Sequence, residues 1–154
     1  ILDTVPGINT KAASIIIAEI GTDMSYFPSD KHITSWAGLS PGNNESAGKK
    51  KRSKSLAGDK ALKSIMCECA WCASMSKDTR LSMCYKRWVK RMGKKKATIA
   101  LASLMLRICY QLIKERKTYI EYGSTYLDKL NNKREENMVR ILKAKGYRIE
   151  KAPV

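Results

Sequence analysis

A chain of 154 residues with 44% hydrophobic content suits one packed domain, with room for an appendage. Thirty Lys and Arg stand against fourteen Asp and Glu, a formal charge of +16, which selects a polyanionic partner, nucleic acid or an anionic membrane. No run reaches the roughly 18 consecutive apolar residues of a spanning helix; residues 97–113 come nearest but are interrupted by Arg107 and Gln111, and no secretory signal is present, so nucleic acid is the expected partner.

The chain opens at Ile1 without an initiator Met, and so reads as a piece of something longer. A short apolar turn leads into Val5-Pro6-Gly7-Ile8-Asn9, and a helix is expected next, with Ala12, Ala13, Ile16, Ile17 and Ile20 at helical spacing and Gly21 as its stop. This start resembles a helix-hairpin-helix, which holds DNA through backbone N–H groups and the positive end of a helix without reading sequence. Gly7, Asn9 and Lys11 are its candidate DNA contacts. Asn9 stands where the motif has its second glycine, a residue type that tolerates φ > 0. An ordinary helix start punctuated by Pro-Gly explains the same residues.

Ser29 is an expected N-cap for a short helix to Ala37, with Ile33 and Trp36 facing inward. Residues 36–55 then read WAGLSPGNNESAGKKKRSKS, almost all turn formers, small polar groups or cations. A structureless loop of about 20 residues inside a compact domain is usually functional or disordered. Ser46 is followed by Ala47 and Gly48, so little bulk shields its hydroxyl, and Lys49, Lys50, Lys51, Arg52 and Lys54 follow. A hydroxyl beside clustered cations suits attack on a phosphodiester, because the cations neutralise phosphate oxygens. A solvated basic loop with an idle serine fits the composition as well.

Asp59 is an expected cap for a helix over residues 60–75, with Leu62, Ile65, Met66, Cys69, Ala70 and Ala73 on one face and Lys60 and Lys63 at the end nearest the basic loop. A helix over residues 79–92 carries Leu81, Cys84, Tyr85 and Trp88 inward and Lys86, Arg87, Lys90 and Arg91 outward. Gly93 ends it, and Lys94, Lys95 and Lys96 start another, against the macrodipole, as a second cluster suited to tracking a phosphate backbone. Residues 97–119 are apolar on two faces and should form the buried spine. After Gly123 a charged helix over residues 128–145 is expected, anchored by Leu130, Met138, Ile141 and Leu142.

The five cysteines, Cys67, Cys69, Cys72, Cys84 and Cys109, read as reduced thiols. Cys67 and Cys69 lie about 200° apart on a helix, so they do not share an ion, and no metal site is expected here. His32 is the only histidine and stands beside Lys31, which does not support Ser-His chemistry. The expected fold is mainly α: a compact helical domain with a helix-hairpin-helix-like start, a long basic loop and a charged C-terminal helix, divided into residues 1–122 and a tail over 123–154.

Several spaced segments agree in order with a known family: Val5-Pro6-Gly7-Ile8, Ala18-Glu19-Ile20-Gly21, Phe27, Ser35-Trp36-Ala37-Gly38-Leu39, Ser40-Pro41, Ser46-Ala47-Gly48-Lys49 and Ala57-Gly58-Asp59. Together they resemble the C-terminal domain of insertion-sequence-110 (116/110/902) family transposases, over about residues 1–115. The resemblance implies a bridge-RNA-guided DNA recombinase in which an N-terminal RuvC-like domain binds Mg²⁺ through four acidic residues and the C-terminal domain supplies a serine nucleophile. Ser46 is the matching serine, with Ala47 where family members usually carry Gly; Ser40 and Ser53 fit the motif less well. The resemblance further implies DNA and guide RNA as partners, a homo-oligomer (dimer or tetramer), a cytoplasmic, nucleoid-associated setting in a bacterium or archaeon, and no cofactor within this chain. A non-catalytic helix-hairpin-helix DNA-binding module is the alternative from another class, and a basic RNA-binding adaptor a third.

Overall fold

A computed structural model of the chain describes residues 1–41, 45–46, 49–50, 57–123 and 125–149. Six α-helices carry the described fold: α1 (Thr10–Ile20), α2 (Asp30–Trp36), α3 (Lys60–Met75), α4 (Arg80–Met92), α5 (Lys94–Glu115) and α6 (Thr125–Ala144). Short 3₁₀ turns, Leu2–Thr4 and Met24–Tyr26, precede α1 and α2. The mainly helical expectation therefore holds. Residues 38–58 are not without structure, however: β1 (Glu45–Ser46) and β2 (Lys49–Lys50) form a two-residue antiparallel ladder inside that stretch.

Local chemistry sets the helix ends. Asn9, Ser29, Asp59 and Thr79 each cap a helix by accepting a backbone N–H in the first turn, so that one of the four orphan donors is satisfied. Asn9 sits at φ −92°, so it serves α1 as an extended N-cap for Ala12 N at 2.8 Å and not as a left-handed stand-in for glycine. At the other end of α2, Gly38 adopts φ +66°, its N–H donating to Ser35 O (3.0 Å) while Leu39 N–H donates to Thr34 O (2.9 Å). That pair of bonds is a Schellman closure, which needs a residue free to turn left-handed.

The spine is α5, which packs on α2, α3 and α4. Ala97, Leu101, Ala102, Met105, Leu106 and Cys109 are fully buried, each large one contributing about 1.5–3 kcal/mol by leaving water. The helix starts at Lys94 and ends on Arg116, whose φ of +53° turns the chain, so it is shorter at its C-terminus than its apolar pattern suggests. By length and composition it could cross a membrane, and 39% of its apolar stretch is buried against its neighbours, with Ile99, Leu104, Ile108, Leu112 and Ile113 half-buried at the edge of the core. Tyr110, 2% exposed, donates its hydroxyl to Phe27 O at 3.0 Å and ties the spine to the turn before α2.

Gly7 has a structural reason of its own. At φ +89° it faces α3, and a Cβ there would lie 2.5 Å from Cys69 O and 2.6 Å from Ala73 N. Only glycine lets the first turn pack this closely on α3, whose contacting residues Cys69 and Ala73 are small and buried.

Two expectations about packing are overturned. Trp36 is 44% exposed rather than inward-facing, because it is the last residue of α2 and its ring tilts against Phe27 (centroids 5.7 Å apart) beyond the edge of the core. Met138 and Ile141 do not anchor α6: both are exposed, while Val139 and Leu142 are half-buried. Among the described residues α6 packs on α4 alone, and one neighbour buries one narrow stripe.

Candidate nucleophile loop and nucleic-acid interface

The loop that carries Ser46 leaves α2 and returns to its own starting point. Gly58 lies against the backbone of Ala37 and Gly38, and a Cβ on Gly58 would be 2.2 Å from Gly38 N. Beside it, Asp59 N–H donates to Trp36 O at 3.2 Å, and Asp59 Oδ1 accepts Leu62 N–H at 2.6 Å to start α3. Residues 38–58 are thus pinned at both ends to rigid helices, with Ala37 and Leu39 buried beneath the neck. Beyond the neck the ladder pairs Glu45 with Lys50 and Ser46 with Lys49. Lys51, Arg52 and Lys54, expected among the loop cations, lie outside the described residues, as does Ser53.

Ser40 is held differently. It is half-buried and its hydroxyl donates to Thr34 Oγ1 at 3.4 Å, which engages it with the end of α2. His32 shares a 2.9 Å hydrogen bond with the Ser29 hydroxyl at the opposite end of α2. Among the described residues no group of three or more His, Cys, Asp or Glu is arranged to hold a metal ion. The thiols behave as packing groups: burial pushes Cys69 up to about 11 and Cys109 up to about 12, and raises Cys67 and Cys84 as well.

The remaining candidate contacts fall into separate surfaces. Lys60 is exposed at the start of α3, next to the neck. Gly7, Asn9 and Lys11 line one cleft with Ser64, Glu68 and Cys72, where α1 begins over α3. Lys11 is exposed there, whereas the face of Gly7 that lacks a side chain is taken up by α3. Lys90, Arg91, Lys94, Lys95 and Lys96 are all exposed around the α4–α5 junction. Gly93 alone makes that junction, donating to Val89 O and accepting from Ala97 N, each at 3.0 Å. No side chain caps α5, so its first turn has cations where the macrodipole favours anions.

Sequence reasoning missed two parts of this surface. Gly58 precedes a capped helix that needs no glycine before it, and that redundancy was the available signal. Exposed Trp36 at the neck carried no signal, since its spacing is that of a core residue.

The pattern of the IS116/IS110/IS902 transposase family matches residues 1–86, which takes in the neck and the loop. The chain is also similar to the pilin gene-inverting proteins of Moraxella bovis and Moraxella lacunata, each 32% identical over 126 residues and covering 77% of this chain. The match spans 38% of the length of those relatives.

Proposed function

The chain belongs to the IS116/IS110/IS902 transposase family, and on that premise we propose that it supplies the serine nucleophile of a DNA recombinase, Ser46. The observation that supports this reading is the closed neck: a loop rich in cations is pinned at Gly58–Gly38 and Asp59–Trp36, so its two ends meet where α2 closes and α3 begins. Ser46 is the register partner of Lys49 within it. Ser40 is the weaker candidate, because its hydroxyl is already engaged with Thr34.

In the proposed step, Ser46 Oγ bonds to the phosphorus and the P–O3′ bond breaks. The hydroxyl proton passes to the departing 3′ oxygen, leaving a phosphoserine–DNA linkage and a free 3′-hydroxyl. Attack by the 3′-hydroxyl of another strand reverses the step and completes exchange, one ester bond replacing another. The loop lysines hold the phosphate and stabilise its developing charge. Inversion of a gene, the act named in the two relatives, needs strands broken and rejoined, which this step supplies.

A serine hydroxyl needs a base, and His32 is occupied with Ser29. The described carboxylates do not cluster for Mg²⁺, so no step is assigned to a metal on this chain. By itself the chain is proposed to bind DNA without cutting it, the metal-bearing part lying elsewhere in the recombinase. Guide RNA and a dimeric or tetrameric assembly belong to the same proposal, and the +16 charge supports the two polyanions.

The test is adduct trapping. The complete gene product is incubated with a nicked suicide duplex and Mg²⁺, denatured, and any DNA–peptide linkage is mapped by mass spectrometry. The expected adduct is on Ser46, and Ser46→Ala loses it while DNA affinity is nearly unchanged. An adduct on Ser40 or Ser53, or one that survives in Ser46→Ala, refutes the assignment.

A further inference from the structure

Arg87 of α4 and Lys133, Arg134 and Arg140 of α6 line one cleft of about 580 Å³, with Glu136 and Asn137. On α6 these side chains recur at three- and four-residue intervals, so they share a face. Arg140 Nη2 donates to Asn137 Oδ1 at 3.0 Å, which steadies its guanidinium. The ion pairs of the described residues involve none of the four cations, and the single carboxylate at the cleft, Glu136, is not within pairing distance of them. Like charges gathered around one space oppose the packing of α6 on α4.

On α4 the same charge continues: Lys90 and Arg91 lie three and four residues beyond Arg87, and only Met92 and Gly93 separate them from Lys94, Lys95 and Lys96. A free phosphate would use two or three of these cations. A track running from an open cleft along a helix face suits a ligand whose negative charge repeats. We propose that the α4–α6 cleft is a second nucleic-acid site, which takes the phosphodiester backbone of a duplex through Arg87, Lys133, Arg134 and Arg140. α6 lies outside residues 1–86, so this surface adds to the loop rather than restating it. The inference rests on the recombinase reading only for the nature of the polyanion.

The experiment measures binding of the chain to a labelled DNA duplex and to a labelled RNA hairpin across a salt series. Arg134→Ala/Arg140→Ala is compared with Lys129→Ala/Lys143→Ala, which removes two exposed charges from the same helix outside the cleft. The cleft variant should reduce the log–log salt slope by about 0.9 per lost DNA phosphate contact, while the control should leave it nearly unchanged. Reduction with the DNA probe names DNA as the ligand, and reduction with the RNA probe names RNA. Equal slopes for cleft variant and control overturn the inference. The recombinase reading still stands in that case if Lys49→Ala/Lys50→Ala flattens the slope. A wild-type chain that binds neither probe overturns both. Should the alanine variant lose helix content by circular dichroism, Arg134→Glu and Arg140→Glu are tested singly, each expected to weaken binding more than Lys129→Glu; equal weakening overturns the inference.

Discussion

The backbone of Gly58 sits so close to Gly38 that a single added Cβ would fall 2.2 Å from the Gly38 nitrogen. Two glycines twenty positions apart therefore form the neck of the loop that carries Ser46, and neither tolerates a side chain for free: Gly58 lacks space, and Gly38 turns at φ +66°.

Gly58→Ala is expected to destabilise the chain by about 1–3 kcal/mol, the range for forcing a methyl group into a packed site. Urea unfolding followed by circular dichroism measures it. In the complete protein the same variant should lower the yield of the covalent adduct more than it lowers DNA affinity, since the neck orients the loop rather than contacting DNA. A variant as stable and as reactive as wild type would mean the neck opens without consequence.

Leu106→Ala removes a fully buried side chain from the spine and is expected to cost about 2–5 kcal/mol. Met138→Ala, on the exposed side of α6, should stay within about 0.5 kcal/mol. Parallel denaturant melts compare them directly, and equal losses would place α6 in the core.

Arg107 pairs with Asp30, joining α5 to the first turn of α2. The Arg107 hydrogen bond, chiefly, holds the Asp30 carboxyl below its ordinary value of 3.8. A depressed carboxyl contributes stability that is complete above 3.8 and is lost as the pH falls through the folded value, below 3.8. Asp30→Asn should therefore lower stability near neutrality, where the ionised pair contributes, and converge with wild type in acid, so that the acid limb of a stability-versus-pH curve is flattened. With the Arg107 side chain 48% exposed, the pair is expected to contribute no more than about 1 kcal/mol.

Thiol labelling separates the cysteines by burial. Cys72 is exposed and should react first with iodoacetamide under native conditions. Cys69 and Cys109 are buried, with pKa values pushed up to about 11 and about 12, and should react only on unfolding. Mass spectrometry of a time course reads the order, and early labelling of Cys109 would contradict the packing of α5.

What the sequence determined by itself is whatever depends on near neighbours in the chain. Caps at Ser29 and Asp59, stops at Gly21 and Gly93, and the two-faced apolar run of α5 all follow from interactions within a few residues, and all appear in the fold. The spaced segments that mark the transposase family were legible for the same reason: they need only their order along the chain. Tertiary structure decided the contacts between distant residues. Gly7 reads as hairpin punctuation until α3 is placed against it, and Asn9 reads as a glycine substitute until α1 begins beneath its side chain. Trp36 has core spacing but lies where α2 runs out of neighbours, so its exposure depends on where the other helices stop. The meeting of Gly58 with Gly38, and of Arg87 with the cations of α6, depends on how the helices pack, because periodicity states which face of a helix is charged but not which other face it will meet.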